Sequence, residues 1–234
     1  MRQDPPPLTA EEFDVLARHR TSIPWDELPP RDQALIRGMR SKLSNYATTL
    51  CGRLTARTPL KPFVSILNPS GRLGQAYWCC VYSAKVSNKA YGLQLLVSVR
   101  HVGVELGLGV GRGTGGPLDA QGDLQKELAR AQGSLRRLRH SPTFKRIAEE
   151  VGKDGLVPRS EWYASPYSRR LAEIEEWVDH ASGPDGTGAA ISGFWSRDEV
   201  LAMGETFFPR LLQELDHFSP VVDEIYSPEP QPPH

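Results

Sequence analysis

Between Tyr82 and Tyr91 the chain reads YSAKVSNKAY, a turn that sets Lys85, Ser87, Asn88 and Lys89 between two aromatic rings. Lysine ammonium groups contact phosphates, Ser and Asn side chains donate to phosphates or base edges, and aromatic rings stack on bases. Trp78 stands just upstream in AYWCCVY. A second stretch, SEWYASPYSRR, repeats the composition, with Trp162, Tyr163 and Tyr167 beside Arg159, Arg169 and Arg170. Taken singly, a solvated turn accounts for the lysines and cross-strand packing for the tyrosines. Two such stretches in one chain, beside a helix bearing Arg136, Arg137 and Arg139, favour nucleic-acid contact. Phe194 and Trp195 in SGFWS are explained more simply as a hydrophobic staple at a helix start.

Other chemistries find little support. The run GLGVGRGTGG lacks the Lys-Ser/Thr ending of a phosphate-binding Walker loop. It also follows an antiparallel strand instead of opening a βαβ unit. It reads as a mobile strand-to-helix loop in which Arg112 could touch a phosphate. His19, His101, His140, His180, His217 and His234 form no metal-ligating pair, and no nucleophile-elbow motif occurs. Carboxylates are scarce in the strand-rich region, where an acid–base pair would need rigid support. The sequence therefore assigns no catalytic residue, no metal and no cofactor, and the expectation is a binding protein, not an enzyme.

Cys51, Cys79 and Cys80 are an odd set with two neighbours that point to opposite faces of a strand. Buried free thiols explain them better than disulfides or a shared metal. With no apolar leader and no run long enough to span a bilayer, the sequence reads as cytoplasmic.

A formal net charge of zero conceals a separation. Residues 31–146 hold 19 Lys/Arg against 5 Asp/Glu, and the remainder 9 against 23, so +14 in one part faces −14 in the other. A polyanionic partner for the basic part is one reading. Acidic helices folding back on basic ones is the other, and charge alone does not choose.

The elements that would position these residues follow from patterning. Thr9 and Glu12 have capping-box spacing and open a short helix; a longer one should run from about Pro30 to Leu54, with Leu35, Met39, Leu43, Tyr46 and Leu50 inward. Its outer face carries Arg31, Arg37, Arg40 and Lys42. Strands are predicted at 63–67, 76–84, 91–100 and 103–111, joined by short turns into an antiparallel meander. Alternation gives the meander one aliphatic face and one polar face, bare near Gly103, Gly107 and Gly109. Leu124, Leu128, Leu135 and Leu138 mark a helix, and Ser141-Pro142 starts another. A loop rich in Trp, Tyr and Arg follows, then the acidic helix LAEIEEWVDHA, a flexible SGPDGTGAA, and a helix capped by Ser196 and Glu199 that runs to about Leu215. The predicted fold is α+β, an antiparallel sheet of about four to five strands with helices packed against it. Residues 1–29 form an N-terminal helix and Pro-rich link, 30–226 a single domain, and 227–234 a disordered tail.

RTPLKPFVSILNPSG followed by AYWCCVYSAKVSNKAYGLQLLVSVRHVGVELGLGVGRG resembles the N-terminal specificity domains of McrB-type modification-dependent restriction proteins. WVDHASGPDGTGAAISGFWSRDEVLAMGETFFPRLLQELDHFSPVVDEIY is similar to their closing helical section. GVELGLG also resembles a strand of an uncharacterised bacterial DUF family. The McrB-type resemblance implies a bacterial reader of double-stranded DNA carrying a modified cytosine, typically 5-methylcytosine, flipped into a pocket of aromatic and apolar side chains. Trp78 with Tyr82 or Tyr91 would stack; Lys85, Asn88 and Lys89 would contact the backbone or the orphaned strand. No Walker motif is present, so cleavage would be delegated to a nuclease or GTPase partner or be absent. The alternative is a protein–protein interaction module that uses its charge-separated surfaces.

Overall fold

The computed structural model describes residues 3–19, 23–67, 73–86, 89, 92–110, 129, 132–161, 167–183 and 188–226. Helix α1 (Ala10–Arg18) begins where the sequence puts its cap: the Glu12 carboxylate accepts the Thr9 N–H at 2.8 Å. A single 3-10 turn at Trp25–Glu27 leads to α2 (Pro30–Arg53), whose first proline loses no helical hydrogen bond. Met39, Leu43, Tyr46 and Leu50 are fully buried as expected, joined by Ile36, while Leu35 is half-buried against the same core. Lys42 turns inward as well. Its ammonium lies 2.7 Å from the Glu12 carboxylate and donates to the Pro7 carbonyl at 2.7 Å.

Four strands make the predicted meander: β1 (Leu60–Leu67), β2 (Leu73–Ser83), β3 (Leu93–Arg100) and β4 (Gly103–Val110). After β4, residues 132–137 are helical and end in a 3-10 turn at Leu138–His140; α3 (Pro142–Lys153) then starts on the Ser141 cap, whose Oγ accepts the Phe144 N–H at 3.0 Å. Leu135 and Leu138 are buried, while the predicted inward Leu124 and Leu128 lie outside the described residues.

Two strands correct the sequence reading. The segment taken for a loop contains β5 (Val157–Arg159), and SGFWS, which leads into the helix capped by Ser196 and Glu199 as expected, is itself the end of β6 (Ala190–Ser196). The sheet is six-stranded and antiparallel, in the order β1-β2-β3-β4-β6-β5. In the chain, the acidic helix α4 (Ile174–Ser182) connects β5 to β6. The helix expected to reach Leu215 is instead α5 (Arg197–Met203) and α6 (Phe207–Asp216). Gly204 separates them in the left-handed region, at φ 49°, which a helix cannot continue through. A last helix, α7 (Ser219–Tyr226), closes the described chain.

The aliphatic face is the core. Tyr77, Cys79, Val81, Leu95, Val97, Val99, Val104, Leu106, Leu108 and Ile191 all point to it and are buried. Across it lie α2, against β1 and β2, and α5 and α6, against β4. Tyr46 bridges these helices: its ring lies 5.4 Å from Phe208 and 5.9 Å from Phe207, and its hydroxyl donates to the Pro6 carbonyl at 2.7 Å. Leu8, Phe13, Val15, Leu16 and Leu28 join the same core. Among the described residues, no helix is long and apolar enough to cross a membrane.

Candidate nucleic-acid interface

Strand parity decides which half of AYWCCVY can meet a ligand. Tyr77, Cys79 and Val81 enter the core; Trp78, Cys80 and Tyr82 point to the opposite, polar face. Three rows of side chains cross that face. One runs Ser65, Trp78, Ser98, Glu105, Phe194. The next runs Phe63, Cys80, Leu96, Gly107, Ser192, Val157. The third runs Lys61, Tyr82, Gln94, Gly109, Ala190, Arg159.

The aromatic end of this face lies at the β1 edge. Phe63 and Trp78 are half-buried, with ring centroids 5.2 Å apart and planes tilted by 40°. The Lys89 ammonium sits 4.0 Å from the Phe63 centroid and 5.5 Å from that of Trp78, within cation–π range of both. Gln94 holds it there: the buried side-chain amide donates to the Lys89 carbonyl at 2.7 Å. Tyr82 is half-buried beside them, and burial raises its phenol pKa.

The middle of the face is polar and covered. Gln94, Ser98, Glu105 and Ser192 are all buried, Glu105 and Ser192 completely. Ser192 Oγ donates to Glu105 Oε1 at 3.0 Å. Arg100, one pair beyond on β3, is partly buried, and its Nε is enclosed without a hydrogen-bond partner. Burial lowers the Arg100 pKa, against the attraction of the Glu105 carboxylate. Gly107 is required on β4 because a Cβ there would lie 2.1 Å from the Ile191 carbonyl oxygen, with φ at 152°.

The remaining predicted residues are dispersed. Lys85 belongs to another contact: its ammonium donates to the Tyr226 carbonyl at the C-terminal end of α7, where the helix dipole favours a cation. Tyr167, Arg169 and Arg170 lie at the opposite edge of the sheet, where Arg170 pairs with Arg159. Five strand spacings, roughly 24 Å, separate them from the Phe63–Trp78 pair. The described residues of the two aromatic–basic clusters therefore do not form one pocket. Tyr167 is 79% exposed, and Arg169 is engaged by Glu176 at 3.1 Å. Ser87, Asn88, Tyr91, Arg112, Trp162 and Tyr163 lie outside the described residues.

Charge is partly folded back. Among the described residues, Arg31, Lys42, Arg53, Arg57, Arg139 and Lys145 pair with Glu11, Glu12, Asp4, Asp223, Asp179 and Glu175 respectively. Among the described residues, Arg40, Lys61 and Lys89 make no such pair. Phe63, Gln94, Arg100 and Glu105 were not among the predicted site residues, although alternation already places Gln94, Arg100 and Glu105 on the polar face. Alternation was their only signal, and it needs the β1–β2 register to bring Phe63 beside Trp78. The chain matches no protein-family model and no curated protein.

Proposed function

We propose that this protein binds double-stranded DNA carrying a modified cytosine, with 5-methylcytosine the base read, and performs no catalysis. The observation that supports this best is the half-exposed Phe63–Trp78 pair under Lys89, with a buried polar row leading from it to Glu105. A flipped base needs rings to stack on and groups to meet its edge, and phosphate contacts must offset an unpairing cost of a few kcal/mol. In this reading Trp78 and Phe63 stack on the base and Tyr82 flanks it. Lys61 and Lys89 meet phosphates. The resemblance to McrB-type specificity domains supports the same ligand, and in that setting cleavage falls to a partner nuclease or GTPase.

A gel-shift comparison of fully methylated and unmethylated duplexes at two salt concentrations tests the reading. Tighter binding of the methylated duplex, weakening with salt, is expected. Equal affinity, salt-independent binding or no binding refutes it, and capture of a protein partner with indifference to DNA would favour an interaction module.

A further inference from the structure

Lys89 lies where a base would have to go. Its ammonium covers the Phe63 ring at 4.0 Å and reaches Trp78 at 5.5 Å, so the stacking surface is already occupied by a cation of the protein itself. This placement is built and not incidental. The Lys89 carbonyl accepts from the Gln94 side chain at 2.7 Å and from the Gly92 N–H at 3.3 Å. Gln94 is 4% exposed and anchored in the sheet opposite Tyr82 and Gly109. Two donors thus hold the Lys89 carbonyl, and the ammonium reaches the rings from that anchor on a four-carbon stem. The Lys89 charge also acts on the buried Cys80 thiol, which adjoins Phe63 across the β1–β2 pairing.

We propose that Lys89 is a removable cap on the Phe63–Trp78 ledge, positioned by Gln94, which gives up its ring contacts for a DNA phosphate when a base stacks there. The proposal rests on the base-binding reading above and adds its regulation. The exchange balances electrostatically: the ammonium leaves one region of negative potential, the ring faces, for a stronger one, the phosphate. A ligand with a base and no phosphate cannot offer that exchange. It has to displace the cap without compensation.

Removing the cap should therefore affect two probes in opposite directions. With 5-methyl-2′-deoxycytidine, which carries no phosphate, Lys89→Ala should bind roughly two- to fivefold more tightly than the wild type, the worth of an exposed cation–π contact. With a methylated duplex the same variant should bind more weakly, and the slope of log K against log salt should become shallower by about one. Lys89→Arg, which keeps the cation, should restore wild-type behaviour with both probes. Gln94→Met should shift both readouts in the same directions as Lys89→Ala by a smaller factor. If Lys89→Ala weakens both probes, leaves both unchanged or strengthens both, the cap is refuted while duplex binding by the wild type keeps the base-binding reading intact. If the wild type binds neither probe, both readings fall.

Discussion

Asp223 in α7 accepts the backbone N–H of Thr58 at 2.7 Å and that of Arg57 at 2.9 Å, so the last described helix caps the link between α2 and β1. Asp216 does the same for Thr55, 2.6 Å from its N–H. The helical ending is thus hydrogen-bonded to the segment that launches the sheet.

That relationship sets an acid dependence. Burial by itself raises the Asp223 pKa, but the N–H groups of Arg57 and Thr58 outweigh it and hold the carboxyl below its ordinary range. Asp32 is also lowered, chiefly by the hydrogen bond from Arg18 at 2.7 Å and further by His19 at 2.6 Å. A carboxylate depressed in the folded state contributes stability that is complete above its unfolded pKa and is lost as pH falls through the folded value. The melting temperature should hold steady down to about pH 4 and drop below it. In Asp223→Ala, which costs about 1–3 kcal/mol at neutral pH, the drop should be smaller. Calorimetry across this range checks both points, and a variant with the wild-type pH profile would contradict them.

Two glycines should respond in opposite senses to the same substitution. Gly107→Ala drives a methyl group into the Ile191 carbonyl and strains the backbone at φ 152°, and should cost about 3 kcal/mol or more. Gly38 lies mid-helix in α2, with nothing within 4 Å of an added Cβ, so Gly38→Ala should stabilise by roughly 0.5–1 kcal/mol. Urea unfolding of the two variants measures the contrast.

The two edges of the sheet should divide affinity from discrimination. Trp78→Ala removes a stacking ring and should lower methylated-duplex affinity by about 1–3 kcal/mol while erasing the preference over unmethylated DNA. Arg170→Ala, at the far edge, should weaken both duplexes equally and reduce the salt slope by about one. Competition binding with the two duplexes separates these outcomes, and a loss of methyl preference in Arg170→Ala would reverse the assignment.

The thiols should be inert in the folded protein. Burial raises Cys51 to about 11 and Cys80 to about 12, and Cys79 is completely buried in the core. Thiolate is the reactive form. Alkylation at pH 8 should therefore be slow for the native protein, fastest at half-buried Cys51, and complete at all three cysteines in denaturant. Peptide mapping of the alkylated positions gives the order.

Local signals made much of this fold legible in the sequence. The Thr9–Glu12 and Ser141 caps, the Pro30 helix start and the alternation from Leu93 to Val110 each depend on neighbouring residues, and each was readable. Trp78 and Tyr82 were correctly paired on one face for the same reason. What escaped depends on distant partners. β6 holds a glycine and only seven residues, and it becomes a strand because β4 and β5 pair with both its edges. Phe63 joins Trp78 only through a register that the turn sequence does not determine. Lys85 and Lys89 look equivalent in the sequence, yet Tyr226 takes one and Phe63 the other.

The position of β6 between β4 and β5 has a kinetic consequence. Strands β1 to β4 pair with sequence neighbours through short turns and can assemble early, at low loop-closure cost. The free edge of β4, however, must wait for residues 190–196, which arrive only after α3, β5 and α4 have been synthesised. Refolding should accordingly be at least biphasic, with β2 and β3 amides protected from exchange before those of β6. During that interval β4 presents an apolar, unpaired edge, and association between nascent chains is most probable there. Pulse-labelled hydrogen exchange would time the gap.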